Sequence, residues 1–220
     1  MVGQAIADRL TALGHQVIMG TRNVADTLAK TEPDRYGNPS LSTWLQTHPG
    51  VNIAPFAEAA RQASIIFNCT NGNATPDVLK QAGEDNLAGK TLIDIANPLD
   101  FSNGFPPSLS VCNTDSLAEQ IQRAFPAAKV VKTLNTMTAM LMVNPALLPG
   151  EHSVFVSGND SDAKQQTVDL LTSFSWPQAS IIDLGDLSTA RATEMLLPIW
   201  TRLYGALKTP LFNFNVNIAH

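Results

Sequence analysis

Gly20-Thr21-Arg22-Asn23 sets a hydroxyl, a guanidinium and an amide side by side, directly after the apolar run Gln16-Val17-Ile18-Met19. In dinucleotide-binding α/β folds the second strand normally ends in Asp or Glu, which bonds the ribose hydroxyls of NAD, whereas an arginine there accommodates a ribose 2′-phosphate. A guanidinium forms parallel bonds to two phosphate oxygens and stacks on adenine, and Thr21 adds a hydroxyl donor, so the three residues point to NADP. A solvated surface arginine is the competing reading of Arg22. Gly3, in Met1-Val2-Gly3-Gln4 ahead of an amphipathic helix, matches the last glycine of the phosphate-binding fingerprint G-x-G-x-x-G. The first two glycines and the strand before them are missing from the sequence, and one glycine at a helix start is a weak signal alone.

Three further groups follow apolar runs. Asn71 and Gly72 come after Ala63 to Cys69, Asn97 and Pro98 after Thr91 to Ile95, and Asn135 after Lys129 to Lys132. Amides at strand ends can bond the ribose or carboxamide of a nicotinamide, and a glycine lets a diphosphate approach the backbone. Ordinary turns account equally well for Asn71 and Gly72.

Positioning these groups requires a parallel sheet. The runs 63–69, 91–95 and 129–132 are continuous rather than alternating, which is how strands read when helices cover both faces. Ile6, Leu10 and Leu13 recur at helical spacing before Gly14, and helices fit Val24 to Lys30, Pro76 to Ala82 and Ser116 to Ala124. Glu32 to Gly50 reads as a polar loop in which Trp44-Leu45 forms a short amphipathic turn. Ser153 to Ser157 and Ala179 to Asp183 read as strands around a helix from Ser161 to Ser173, and a final helix from Ser188 to Lys208 breaks at Pro198. The alternation predicts a Rossmann-type, doubly wound, mainly parallel sheet lacking its N-terminal strand, with ligands at the carboxyl ends of the strands. Residues 1–150 form the nucleotide-binding domain in this reading, and 151–220 an α/β extension packed on it. A missing central strand leaves unpaired backbone groups on both neighbours, so such a sheet should close poorly; a start at an internal methionine of a longer product is the simplest explanation.

Composition narrows the class. The 220 residues carry 14 Lys and Arg against 19 Asp and Glu, a net charge of −5, which disfavours attraction to nucleic acid or anionic lipid. No apolar run reaches the ~18 residues of a membrane helix, and no signal peptide is visible, so a cytoplasmic place is expected. Cys69 and Cys112 lack metal or redox spacing and read as reduced core thiols.

Taken together, the chain resembles the NADP-dependent reductases of the deazaflavin coenzyme F420 and the related cytoplasmic NADPH-binding domain of the STEAP metalloreductases. Gly3 resembles the third fingerprint glycine, Thr21-Arg22-Asn23 the 2′-phosphate site, and Asp94-Ile95-Ala96-Asn97-Pro98 a strand-end loop. Val131 to Thr136 resembles the strand and loop beside the nicotinamide. Ser157 to Asp160, Ile182 to Leu187, and Ala190-Arg191 followed by Glu194 are similar in order and spacing, so the likeness covers nearly the whole chain. It implies hydride transfer between NADP(H) and a flavin or deazaflavin acceptor, a small-molecule redox partner. The lack of a membrane segment argues against a haem-bearing metalloreductase.

Such a reaction needs two rings held at about 3 to 3.5 Å and shielded from water, with no obligatory acid or base. No catalytic residue is therefore assigned, and no metal. His15, His48, His152 and His220 form no dyad and read as structural or surface residues. Met137, Met140 and Met142 read as core in preference to a wall for the second ring. Arg191 and Glu194 are spaced for an i,i+3 ion pair. The tail Phe212-Asn213-Phe214-Asn215 suits either a second copy, giving a homodimer, or the acceptor site. A carbonyl or imine reductase would need a proton donor, for which Lys132 is the one candidate on the right strand, Tyr36 and Tyr204 being poorly placed. A non-catalytic NADP-binding paralogue, and a fragment stable only with a partner chain, are further readings.

Overall fold

The computed structural model describes residues 1–34 and 37–219; Tyr36 and His220 lie outside the described residues. The first helix, α1 (Val2–Ala12), buries Ile6 and Ala7, and Gly14 at φ 86° turns the chain into β1 (Val17–Thr21). That left-handed conformation is open to glycine without a Cβ clash. Asn23 caps α2 (Val24–Ala29) by accepting from Asp26 N, and Ser40 caps α3 (Leu41–Gln46), which contains Trp44-Leu45. Next come β2 (Val51–Pro55), α4 (Phe56–Gln62), β3 (Ile65–Asn68), α5 (Thr75–Ala82), α6 (Glu84–Leu87) and β4 (Thr91–Asp94).

The loop-rich segment after β4 contains a small hairpin, β5 (Leu99–Asp100) with β6 (Ser108–Leu109). It leads to α7 (Leu117–Ala124), β7 (Lys129–Thr133), α8 (Ala139–Val143), β8 (Val154–Gly158), α9 (Ser161–Ser173), β9 (Ile181–Gly185), α10 (Ala190–Met195) and α11 (Leu197–Leu207). Pro198 stands in the first turn of α11, where its missing N–H costs no helical bond, so it opens a new helix.

Five strands form one sheet in the order β3-β4-β7-β8-β9, parallel except between β7 and β8. Helices cover both faces, as the continuous apolar runs required. Along β4 and β7, Ile93 and Val131 face a core with Leu141, Phe174 and Trp176, while Leu92 and Val130 face another with Leu87, Leu117 and Ile121. Neighbouring residues of a strand point to opposite faces, so each pair serves both layers.

β1 and β2 pair with each other in a separate two-stranded sheet. Between β1 and β3 runs a cavity of about 810 Å³ lined by Val17, Ile18 and Met19 on one side and Ile65, Ile66 and Phe67 on the other. This is the place of the central strand in a doubly wound sheet, and without one the sheet is divided into two plus five. The sequence reading passed over β2 and α4. β2 is an edge strand with exposed Asn52 and Pro55, so it lacks the continuous apolar signature; proline is tolerated at such an edge.

Candidate functional site

The residues singled out from sequence all lie at or just beyond the carboxyl ends of parallel strands, or at the start of α1. Thr21 ends β1, and Arg22 beyond it is exposed and makes no hydrogen bond or ion pair among the described residues. A guanidinium left in this state keeps all five donors available to an anion. Thr21 Oγ1 lies 2.6 Å from Thr27 Oγ1, which is itself 2.8 Å from Asn23 O. A hydroxyl has one proton; with that of Thr27 given to Asn23 O, Thr21 is the donor of the pair and must rotate to donate elsewhere. Asn23 spends its Oδ1 on the α2 cap and keeps its amide N–H groups. Gly3 faces the cavity, where an added Cβ would lie 3.4 Å from Met19 Cε and 3.6 Å from Cys69 Cβ.

Across the cavity the strand ends are tightly cross-tied. Asn71 accepts from Asn73 N through Oδ1, opening a helical turn. Gly72 is buried, and a Cβ built on it would stand 2.1 Å from Asn97 O, so its lack of a side chain lets the β3 and β4 loops meet. Pro98 is buried, and its carbonyl accepts from Ser110 N and Oγ, so it fixes the turn and offers no free polar group. Asn97 Nδ2 donates to Asn135 O and Asn135 Nδ2 donates to Asn97 Oδ1, each at 2.9 Å. Asn135 Oδ1 remains unpaired among the described residues. Before it, Leu134 sits at φ 60°, a conformation costing a non-glycine residue about 1–2 kcal/mol and held here by burial of its side chain.

Beneath that pair lies a network missing from the sequence reading. Lys132 is fully buried, with Nζ 2.8 Å from Asp94 Oδ2 and 2.8 Å from Glu194 Oε1, and it also donates to Ala96 O. Burial alone would lower its pKa, but the two carboxylates outweigh it and raise the value, holding the ammonium charged. Burial lifts the Glu194 carboxyl above the usual range against the pull of Lys132. With three acceptors and no exposure, Lys132 has no route to a substrate, so it is not the proton donor that a carbonyl or imine reductase requires. The expected Arg191–Glu194 pair does not form: Arg191 pairs with Glu119 at 2.5 Å, because tertiary partners outcompete a weak helical neighbour. A lysine and an aspartate inside otherwise apolar runs were the available signal, since a charge there must find a buried partner.

The remaining candidates are structural. His15 is exposed, His48 stacks on Trp44, and buried His152 lies 3.1 Å from Pro145 O and 2.9 Å from Asn213 Nδ2. Met137 and Met142 belong to the core, while Met140 is exposed. The tail packs on its own chain: Phe212 against Trp200, Phe214 O accepting from Ser153 N, and Asn213 donating to Ser153 O. Cys69 borders the cavity, where burial pushes its thiol up to about 12. Cys112 is exposed, correcting its reading as core; it stands in the loop before α7, outside both apolar layers. No helix among the described residues is long and apolar enough to cross a membrane.

Residues 1–98 match the family model described as NADP oxidoreductase, coenzyme F420-dependent. A candidate F420-dependent NADP reductase of Arthrobacter sp. FB24 has a crystal structure that superposes with a TM-score of 0.92 at 53% identity, covering 99% of this chain and 95% of that one. The F420-dependent NADP reductase of Methanocaldococcus jannaschii is 30% identical over 146 residues, 64% of this chain and 62% of its own length. Rat metalloreductase STEAP3 is 27% identical over 202 residues, 90% of this chain but only 35% of that protein. The chain thus spans a third to under two thirds of these two curated relatives, while its match to the Arthrobacter protein is nearly complete on both sides. On the strength of that match, the chain belongs to the coenzyme F420-dependent NADP oxidoreductase family.

Proposed function

We propose that this chain transfers hydride between NADP(H) and a flavin or deazaflavin, F420-like acceptor along the carboxyl edge of the sheet. The observation that carries the reading is Arg22: an exposed guanidinium just past the end of β1, without a partner among the described residues, where an NAD-specific fold carries a carboxylate. It fits a 2′-phosphate, with the Asn23 amide and a rotated Thr21 hydroxyl beside it. Gly3 and Asn71 line the path of the diphosphate in this reading, and Asn97 and Asn135 hold the nicotinamide, Asn135 Oδ1 accepting from its carboxamide; Gly72 and Pro98 act behind them, by letting the two loops meet and by fixing the turn. When bound, NADPH supplies the hydride and leaves as NADP⁺. The protein's part is to orient and to exclude water; no side chain need take a proton. The free thiols suit a reducing, cytoplasmic compartment. Exposed Phe105, Ile199, Tyr204 and Leu207 offer a homodimer surface. Residues 1–150 form the nucleotide domain of this reading, and 151–220 its extension.

The test is titration of the wild type and Arg22→Ala with NADPH and NADH. Loss of a charge-assisted phosphate contact costs about 1.5–3 kcal/mol, so NADPH affinity should fall by about ten- to a hundredfold while NADH binding stays level. Equal losses for both nucleotides overturn the 2′-phosphate assignment. Tight NADPH binding without turnover over FMN, FAD and F420 would favour a non-catalytic paralogue.

A further inference from the structure

The Asp94–Lys132–Glu194 network holds more than itself. Asp94 Oδ1 accepts from Asn68 Nδ2 at 2.7 Å and from Ala96 N at 3.2 Å, while Lys132 Nζ donates to Ala96 O. Both backbone polar groups of Ala96 are therefore fixed by the network, and the next residue is Asn97. Asn97 is fixed in addition by its reciprocal bonds to Asn135 and by the packing of its carbonyl on Gly72. From the other side, Glu194 on α10 accepts from Leu117 N at 2.9 Å and Ala118 N at 3.2 Å at the start of α7. Those amides help to offset the second carboxylate, since two acids share one ammonium.

Stability alone is a poor reason for such a cluster. A buried ion pair gains little or nothing over apolar residues of the same volume, because desolvation cancels most of the attraction. Apolar side chains, however, have no donor for Ala96 O and no acceptor for Ala96 N, so they would fill the space and release the turn.

We infer that Lys132 is a positioning residue: through Asp94 and Ala96 it sets the geometry of the Asn97–Asn135 pair, with Glu194 as the second carboxylate that holds its ammonium in place. The role in hydride transfer rests on the function proposed above; the role in fixing the pair does not.

The experiment compares the full chain with a charge-free variant, Asp94→Asn/Lys132→Met/Glu194→Gln, which leaves no carboxylate stranded. Arg191→Ala is the control, because it loosens α10 from α7 through Glu119 without touching the network. Two readouts are taken. Side-chain amide NMR signals of Asn97 and Asn135 should move and exchange faster in the triple variant and stay in place in the control. Single-turnover hydride transfer should fall about ten- to a hundredfold, the loss typical of small misplacement. NADPH affinity should change less than threefold, and the primary isotope effect with deuterated NADPH should rise. Unmoved amides in the folded triple variant overturn the inference, as do equal shifts in Arg191→Ala. If the triple variant does not fold, isosteric Asp94→Asn is read in the same way, and unmoved amides there overturn the inference as well. A wild type that transfers no hydride, with amides that shift in the variant, sinks the proposed function and leaves the positioning role standing.

Discussion

The two sides of the cavity are built on different principles. On one, β1 and β2 pair only with each other, share a small core of Ala7, Val17 and Val51, and present Arg22 on an exposed turn. On the other, β3, β4 and β7 lie side by side under two apolar layers, and their ends are tied through Asn68, Asp94 and Lys132. The first side offers an exposed charge and the second a cross-tied frame with little free charge. That division suits their proposed tasks. A phosphate is gripped by long-range attraction and tolerates a mobile arginine, whereas ring-to-ring transfer depends on fractions of an ångström.

Breaking the rigid side should give the largest effects. Lys132→Met alone strands two buried carboxylates and should lower unfolding stability by about 3–5 kcal/mol in urea titrations. A loss below about 1 kcal/mol would mean that water reaches the network. Gly72→Ala comes next, because its Cβ would overlap Asn97 O and the two loops must part. Overpacking of this kind costs about 1–3 kcal/mol, and the Asn97 amide signal should shift with it. Filling the cavity sharpens the comparison from the other side. A strand-forming segment joined ahead of Met1 should pair with β1 and β3, each buried bond contributing about 0.5–1.5 kcal/mol. Hydrogen exchange of β1 amides should then slow by about tenfold while β4 and β7 stay as they were; unchanged β1 exchange would show that the cavity does not accept a strand.

The same contrast explains what was legible in the sequence. β3, β4 and β7 are continuous apolar runs because both faces are covered, and the 161–173 helix was readable from its apolar spacing, with Asp160 capping it through a bond to Ala163 N. The strand ends before Asn97 and Asn135 followed from β4 and β7, and Arg22 from the run that forms β1. β2 was missed because an edge strand needs no such run. The lysine network was missed for a different reason: Asp94 and Lys132 stand 38 residues apart, and only the sheet register brings them together. Local spacing instead suggested Arg191 with Glu194, a pairing worth a few tenths of a kcal/mol that two tertiary partners displaced.

At the small end lies an ion pair outside both regions. Asp115, just before α7, is bonded by Arg123 at 2.7 Å, and this contact holds its carboxyl down at about 2 against an ordinary 3.8. A lowered folded pKa favours the folded state wherever the carboxylate is ionised, so the contribution is complete above the unfolded value near 4 and disappears as pH falls towards 2. Because the Arg123 side chain is 60% exposed, solvent screens the pair, and Arg123→Ala should cost no more than about 1 kcal/mol at pH 7. Unfolding curves of the variant and wild type should therefore separate slightly at pH 7 and converge towards pH 2. A gap that widens on acidification would mean that Arg123 acts through some other group, and that the start of α7, which also receives Glu194, is coupled to the surface.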